Sequence, residues 1–323
     1  MKIVVLDGYT LSPLKAGETS AQHPSWDGLA EFGELVIHPR TKPADVVERA
    51  AGATVLLTNK VILTRDMMAA LPDLKYIGVM ATGTNVIDLE AAAERGIVVT
   101  NVPGYSTNSV VQIVLSLRLE VAGRVGETAA TVRDGGWSRS EDFCYTLSPF
   151  AELSGKTLGI VGFGAIGSAV ARVAVALGME VCVFSRTRKP TDLPIEWLDL
   201  DSLFAKADVI SLHCPLTPET KHMINAETLG KMKRGAFLIN TGRGPLLDEA
   251  AVAEALHSGQ LGGLSADVLS AEPPPADNPL IGAPNTVITP HIAWASIEAR
   301  GRLMQQLGKN LAAFLNGNPV NVV

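Results

Sequence analysis

Three residues able to bind anions or move protons follow three predicted strands. They are Arg243, Glu272 and His291. A guanidinium holds anions through a fixed fork of N–H donors, and an imidazole exchanges a proton near neutral pH. Taken singly, each has a structural alternative: a surface ion pair, a solvated loop acid or a satisfied core histidine. Because ligands of a parallel sheet bind outside the carboxyl ends of its strands, the shared placement favours one catalytic site. The three strands are Ala236–Asn240, Gly263–Asp267 and Thr286–Thr289.

A glycine-rich turn links the apolar strand Thr157–Val161 to the helical stretch Ile166–Leu177. Its GxGxxG pattern consists of Gly162, Gly164 and Gly167. The first glycine permits a tight turn, the second lets a pyrophosphate approach the backbone, and the third allows close packing of helix on strand. The pattern alone also occurs in ordinary turns. The strand before it and the helix after it favour a dinucleotide site, with phosphates at the helix N-terminus.

The end of the next strand bears on the choice of nicotinamide cofactor. Glu180–Phe184 is followed by Ser185, Arg186 and Thr187, where an NAD enzyme usually carries Asp or Glu. A missing carboxylate removes repulsion of a 2′-phosphate, and a hydroxyl and a guanidinium can bind one. We therefore expect NADP(H), with NAD(H) still possible. The alternative interpretation of this segment, and of Arg188 in particular, is a solvated basic turn.

Alternating strands and helices predict an α/β fold with two doubly wound parallel sheets. The expected boundary between the two series lies near Asn101–Ser109, before a long helical stretch at 107–125, and a final helical stretch covers Ser296–Leu315. The other predicted strands are Ile3–Leu6, Glu34–Ile37, Thr54–Leu57, Tyr76–Val79, Ile97–Val99 and Val209–His213, and other predicted helices are Pro43–Ala51, Asp88–Arg95 and Glu249–Ser258.

Composition narrows the function classes. A chain of 323 residues corresponds to about two domains at a rough ~150 residues each. The net charge of −6 argues against nucleic acid or an anionic membrane as a partner. No apolar stretch has the length of a membrane span or a signal-peptide core. Three widely spaced cysteines, with no metal-ligand spacing, predict no metal and a cytoplasmic location.

Over essentially its full length the chain resembles the D-isomer-specific 2-hydroxyacid dehydrogenases. Within that family it is most similar to the glycerate dehydrogenase/hydroxypyruvate reductase branch, through Thr58–Lys60, Ser109–Gln112 and His291–Trp294. Gly242 is a departure, since many members carry Ala there. The family motifs occur in order at Val161–Gly167, His213–Thr217, Ile239–Gly244, Asp267–Pro273 and Thr289–Trp294.

The resemblance implies a division into two domains. Residues 1–104 and 296–323 would form a discontinuous, flavodoxin-like substrate-binding domain. Residues 105–295 would form a Rossmann dinucleotide-binding domain. The last helix would thus return to the N-terminal part of the chain.

The resemblance also implies a role for each catalytic residue. Arg243 would bind the carboxylate of a 2-keto acid and polarise its carbonyl. His291 would donate a proton to the developing alkoxide as hydride arrives from the nicotinamide. Glu272 would hydrogen-bond the other imidazole nitrogen and fix its tautomer. The substrate would further meet Ala81, Thr82, Gly83 and Trp294, and the cofactor would meet Gly162, Gly164, Ala165, Ile166, Gly167, Ser185, Arg186, Thr187, Cys214, Pro215, Thr220, Thr241, Asp267 and Ala293.

The expected reaction is reduction of a small 2-keto acid to a D-2-hydroxy acid, with hydroxypyruvate or glyoxylate favoured. Another small keto acid is an alternative substrate. A dinucleotide-sensing corepressor of the same fold is an alternative function. A homodimer is expected, with Asp142–Tyr145 reaching the neighbouring subunit.

Overall fold

The computed structural model describes residues 1–11, 24–147 and 150–323, which form two compact units. The first unit contains Met1–Ser106 and Trp294–Val323, and the second contains Thr107–Ala293. The expected boundaries, after residue 104 and before residue 296, lie two residues from these.

The first unit is built on a five-stranded parallel sheet in the order β2-β1-β3-β4-β5. This is the flavodoxin-like order, so the predicted fold of this part is confirmed. The strands are β1 (Lys2–Val5), β2 (Glu34–Ile37), β3 (Val55–Thr58), β4 (Tyr76–Val79) and β5 (Val98–Thr100).

Helices cover both faces of this sheet, so alternate residues of its central strands are buried on opposite sides. Val4 and Leu56 pack in one apolar cluster, whereas Ile3 and Val55 pack in the other, against the last helix. The helices are α1 (Asp27–Ala30), α2 (Val46–Arg49), α3 (Arg65–Ala69), α4 (Leu89–Glu94) and α11 (Ile297–Leu315).

The second unit contains a seven-stranded parallel sheet in the order β12-β11-β10-β9-β6-β7-β8. The chain moves outward from β6 to β8, then returns to the other side of β6 at β9. This reversal is the point where a doubly wound sheet binds its ligand. The strands are β6 (Thr157–Val161), β7 (Glu180–Phe184), β8 (Ile195–Trp197), β9 (Val209–Leu212), β10 (Ala236–Asn240), β11 (Leu261–Ala266) and β12 (Thr286–Ile288).

The helices of the second unit bury both faces of its sheet. Ile160 and Val183 pack in one apolar cluster, and Val161 and Leu212 in the other. Within the described residues, no helix is both long enough and apolar enough to cross a membrane. The helices are α5 (Thr107–Gly123), α6 (Val125–Arg133), α7 (Ala165–Ala176), α8 (Leu200–Lys206), α9 (Ala226–Lys231) and α10 (Glu249–His257).

Most predicted elements are confirmed to within about two residues, but two differences have clear physical causes. The expected continuous helix at 107–125 is wrong at its end, because Arg124 adopts a left-handed conformation, with φ of 47°, and separates α5 from α6. Strand β8 was not predicted, because three residues with an exposed Glu196 at their centre carry little periodicity.

Candidate active site

The glycine turn after β6 has the geometry that a dinucleotide requires. Gly162 has φ of 99°, and a Cβ there would lie 2.7 Å from both Cys214 N and His213 O. A Cβ on Gly167 would lie 2.0 Å from the carbonyl oxygen of Gly162. No atom lies within 4 Å of a Cβ built on Gly164, which caps the N-terminus of α7. Two of the glycines therefore allow close packing, and the third leaves space in front of a helix N-terminus.

A buried polar atom also fits the expected cofactor. The hydroxyl oxygen of Thr241, just after β10, is buried and has no hydrogen-bond partner among the described residues. An unsatisfied buried hydroxyl costs free energy, so a polar ligand group at this strand end would stabilise it. The residues present therefore fit a dinucleotide at this edge.

The loop after β9 is closed by its own side chains. The Thr220 hydroxyl donates to Pro215 O at 2.8 Å and accepts from Thr217 N at 2.7 Å. Burial raises the pKa of the Cys214 thiol, so the thiol stays protonated at neutral pH. These contacts give the loop a defined shape beside Gly162.

The basic turn after β7 contains two arginines in different settings. The Arg188 guanidinium lies 5.9 Å from the ring centroid of Trp197, in a cation–π arrangement. Arg186 is exposed. The pKa of Glu219 is lowered mainly by a hydrogen bond with Thr217, and in part by the nearby charge of Arg186.

His291 is held in an uncommon backbone conformation. Its φ is 54°, in the left-handed region that few non-glycine residues adopt. Its N–H donates to Asp267 O at 2.8 Å. The Asp267 carboxylate, 1% exposed, accepts from Thr289 Oγ1 at 2.6 Å and from the N–H groups of Ile292 and Ala293 at 2.8 Å each. Asp267 therefore fixes the backbone on both sides of the imidazole.

The His291 imidazole is paired with Glu272. Nδ1 lies 2.6 Å from Oε2 of the carboxylate, and both side chains are partly exposed, at 27% and 34%. The other carboxylate oxygen accepts from Leu269 N at 3.2 Å. Since an ionised carboxylate only accepts hydrogen bonds, Nδ1 carries the proton and Nε2 is left for a ligand.

Arg243 lies in the loop after β10, which packs against the loop carrying Glu272. A Cβ on Gly244 would lie 2.0 Å from the carbonyl carbon of Leu269, so only glycine allows this approach. The Arg243 side chain is exposed, and Nη1 donates to Gly242 O at 2.8 Å. The remaining N–H groups of the guanidinium can bind an anion.

Sequence reasoning missed three side chains that position this site. Buried Asn240 holds the Arg243 loop, donating to Arg243 O at 2.9 Å and accepting from Gly242 N at 3.0 Å. The Glu249 carboxylate accepts from Ser270 N at 2.7 Å and so anchors the loop before Glu272. The hydroxyl of Ser109 donates to Ala293 O at 2.6 Å. The sequence feature that could have indicated these residues is a polar residue at or next to the end of an apolar strand, such as Asn240 at the end of Ala236–Asn240.

Four of the predicted substrate residues belong to the first unit, whereas Arg243 and His291 belong to the second. Ala81, Thr82 and Gly83 follow β4, and their loop is fixed by hydrogen bonds from Thr82 Oγ1 to Val102 O, at 2.9 Å, and from Val102 N to Ala81 O, at 3.0 Å. Trp294 packs edge-on against Tyr105, with ring centroids 6.5 Å apart.

A glycine turn at the switch point and a paired imidazole after another strand of the same sheet are typical of dinucleotide-dependent oxidoreductases. The model of the family "D-isomer specific 2-hydroxyacid dehydrogenase, NAD binding domain" matches residues 115–293. The chain belongs to this family, and its cofactor is a nicotinamide dinucleotide.

Individual relatives agree with this assignment. The chain is 43% identical to a hydroxypyruvate reductase from Blautia hydrogenotrophica, over 100% of this chain and 99% of the relative. It is 47% identical to a glycerate dehydrogenase from Methylorubrum extorquens, over 87% and 88% of the two chains. Among solved structures, the TT0316 protein from Thermus thermophilus is similar with a TM-score of 0.87 and 40% identity, over 100% of both chains.

Proposed function

We propose that this protein reduces hydroxypyruvate or glyoxylate to the corresponding D-2-hydroxy acid, with NADPH as the favoured reductant. The observation that carries the proposal is the 2.6 Å pair of His291 and Glu272, on loops of the sheet that also carries the glycine turn. The names of the relatives support small keto acids as substrates. In this reaction the bound nicotinamide supplies a hydride to the carbonyl carbon, and the carbonyl oxygen gains a proton.

The proton comes from His291 in this proposal. Glu272 holds Nδ1, so Nε2 of the protonated ring donates to the oxygen as negative charge develops there. In the reverse direction Nε2 accepts the same proton from the hydroxyl group. The Asp267 hydrogen bonds to the flanking backbone keep the ring in place throughout.

Arg243 binds and polarises the substrate. Its permanent charge and planar fork suit a carboxylate next to a carbonyl. Asn240 fixes the backbone on which this side chain is carried. The guanidinium is thus the electrophile that polarises the carbonyl group, and the imidazole is the acid that donates the proton.

Ala81, Thr82 and Gly83 supply further donors for the substrate carboxylate. Within the described part of the chain, the N–H groups of Thr82 and Gly83 have no hydrogen-bond acceptor. The loop is anchored by Asn59, whose side chain donates to Met80 O at 2.6 Å. Trp294 forms an apolar wall suited to a short, uncharged substrate side chain.

The remaining cofactor contacts follow the strand ends. Gly162, Gly164 and Gly167, with the first helical residues Ala165 and Ile166, bind the pyrophosphate. Ser185, Arg186 and Thr187 bind the 2′-phosphate of NADPH, which is supported by the absence of an acid directly after β7. Cys214, Pro215, Thr220, Thr241, Asp267 and Ala293 complete the dinucleotide site.

A substrate panel followed at the nicotinamide absorbance tests the proposed function. It pairs each cofactor with hydroxypyruvate, glyoxylate, pyruvate and 2-ketobutyrate. The proposal predicts the highest kcat/KM for hydroxypyruvate or glyoxylate. Cofactor binding with negligible turnover of every acid would instead indicate a dinucleotide sensor.

We also propose a homodimer in the cytoplasm, without nucleic acid as a partner. Large apolar side chains around the 137–150 segment are exposed, including Trp137 at 54%, Phe143 at 88% and Phe150 at 66%. Such a patch is typical of an interaction surface. The net charge of −6 supports the absence of a nucleic-acid partner, and the three free cysteines support a location in the cytoplasm. A monomeric mass by light scattering at micromolar concentration would exclude the dimer.

A further inference from the structure

Helix α5 carries a buried arginine with no role in the proposed reaction. Arg118 is 7% exposed, and its guanidinium stacks over Phe237 at 5.2 Å from the ring centroid. Among the described residues, Nε and Nη1 have no hydrogen-bond partner. A buried guanidinium without acceptors is costly, because its hydration is lost and not replaced.

Arg118 lines a cavity of about 310 Å³ at the amino ends of β10, β11 and β12. Phe237 lies near the start of β10, whereas Asn240 ends the strand and precedes Arg243. The cavity therefore lies at the opposite edge of the sheet from the catalytic loops. The side chains that line it include Arg118, Glu120, Arg124, Glu127, Phe150 and Phe237.

The other charged groups of the cavity already have partners. Arg124 donates to Asn285 Oδ1 at 2.7 Å and lies 3.4 Å from the Glu127 carboxylate. The Glu120 carboxylate accepts from Gly126 N, at 3.0 and 3.1 Å. Within the described part of the chain, Arg118 is the lining cation that lacks a counter-charge.

A more distant acid does not neutralise Arg118. Asp208 attracts the guanidinium, but its carboxylate is hydrogen-bonded to Lys233 Nζ at 2.9 Å and to Thr157 N at 2.8 Å. Burial lowers the pKa of Arg118 to about 10, so the side chain is still charged at neutral pH. A bound anion would therefore stabilise this charged side chain.

We propose that this cavity binds a small monocarboxylate with a short apolar chain. The guanidinium fork of Arg118 matches the two oxygens of a carboxylate. Phe237 and Val287 provide an apolar wall for the rest of the ligand. Glu120 and Glu127 repel a second negative charge, so a dianion such as phosphate is disfavoured.

Thermal unfolding of the full chain tests this site, with butyrate as the probe and chloride at equal ionic strength as the reference. A ligand that binds only the folded state stabilises it, so butyrate titrated to about 50 mM should raise the Tm of the wild type by about a degree or more over the chloride reference. Arg118→Met should abolish this rise. Arg133→Met, which removes an exposed arginine of α6, is the matched control and should retain it.

One further variant and two further measurements distinguish this site from the site of the proposed reaction. Arg243→Ala should keep the rise in Tm, because the catalytic loop lies at the other edge of the sheet. Arg118→Met should be at least as stable as the wild type without butyrate, because it removes an unpaired buried charge. Phosphate should raise the Tm less than butyrate.

The proposal is overturned if butyrate has no effect beyond that of chloride, or if its effect persists in Arg118→Met. Loss of the effect in Arg243→Ala would assign the binding to the catalytic site. A third outcome would also overturn the proposal: butyrate does not stabilise the wild type, and Arg118→Met is monomeric in light scattering where the wild type is a dimer. In that case a carboxylate of a second copy neutralises Arg118.

Discussion

Nδ1 of His291 and Oε2 of Glu272 lie 2.6 Å apart, although the two residues are 19 positions apart in the chain. The two side chains come from loops that follow neighbouring strands, β11 and β12. The left-handed backbone conformation of His291 costs about 1 kcal/mol. The Asp267 hydrogen bonds on either side offset that cost.

Glu272→Gln should lower kcat by roughly 10²-fold, within the range expected for general acid catalysis. The amide can still reach Nδ1, but it can also donate a proton and so permit the wrong imidazole tautomer. The KM for the cofactor should stay unchanged, since Glu272 acts through His291. Steady-state kinetics separates the two constants. A variant with wild-type kcat would show that the carboxylate has no part in the reaction.

Gly164→Ala and Gly167→Ala form a matched pair in the glycine turn. An added methyl at residue 167 would meet the carbonyl oxygen of Gly162 at 2.0 Å, so the helix must shift, at a cost of about 1–3 kcal/mol. At residue 164 the methyl meets no atom within 4 Å, so the fold should be unaffected. It should instead weaken cofactor binding, because it occupies the space in front of the α7 N-terminus. Urea unfolding and cofactor titration of both variants would show this, and equal destabilisation would contradict it.

Arg186→Ala should raise the KM for NADPH by about 10- to 100-fold, since a hydrogen bond to a charged group contributes about 1.5–3 kcal/mol. The KM for NADH should change little. Arg188→Ala is the control, because Arg188 is stacked on Trp197 and should affect neither cofactor strongly. The ratio of kcat/KM for the two cofactors measures the effect. A strong NADH preference in the wild type would make the NADP(H) assignment wrong.

His213 should make the stability of the protein depend on pH. Burial lowers the pKa of its imidazole to about 4, below the ordinary value of 6.5. Between these values the unfolded chain binds more protons, so the free energy of unfolding falls as the pH decreases, by at most about 1.4 kcal/mol per unit from this group. Urea unfolding at about pH 7 and about pH 5 should show a smaller loss in His213→Gln than in the wild type. If the free energy of unfolding falls equally in both proteins, other titrating groups cause the pH dependence.

The sequence was sufficient where local patterns determine structure. The predicted helix Asp88–Arg95 is confirmed as α4, since the Asp88 side chain caps its N-terminus by accepting from Ala91 N at 2.9 Å, and Gly96 follows its end with φ of 67°. The parallel direction of the strands also follows from the alternation of strands and helices. Glu272 and His291 could be placed at one sheet edge because all strands of a parallel sheet share one direction.

Other features depend on contacts that no local pattern records. The role of Asn240 requires the three-dimensional path of the Arg243 loop, and the role of Asp267 requires the positions of three donors. The left-handed conformation of Arg124, which ends the long helix, has no glycine at that residue to indicate it. The unpaired Arg118 is visible only once its neighbours are known.

In the proposed reaction His291 transfers the proton to the carbonyl oxygen of the keto acid. The most direct measurement compares kcat/KM for hydroxypyruvate in the wild type and His291→Ala, together with the Tm and the cofactor Kd of each. We predict a loss of about 10²- to 10⁴-fold in kcat/KM, with the Tm and the cofactor Kd unchanged. Near-normal turnover of hydroxypyruvate by His291→Ala would contradict this mechanism.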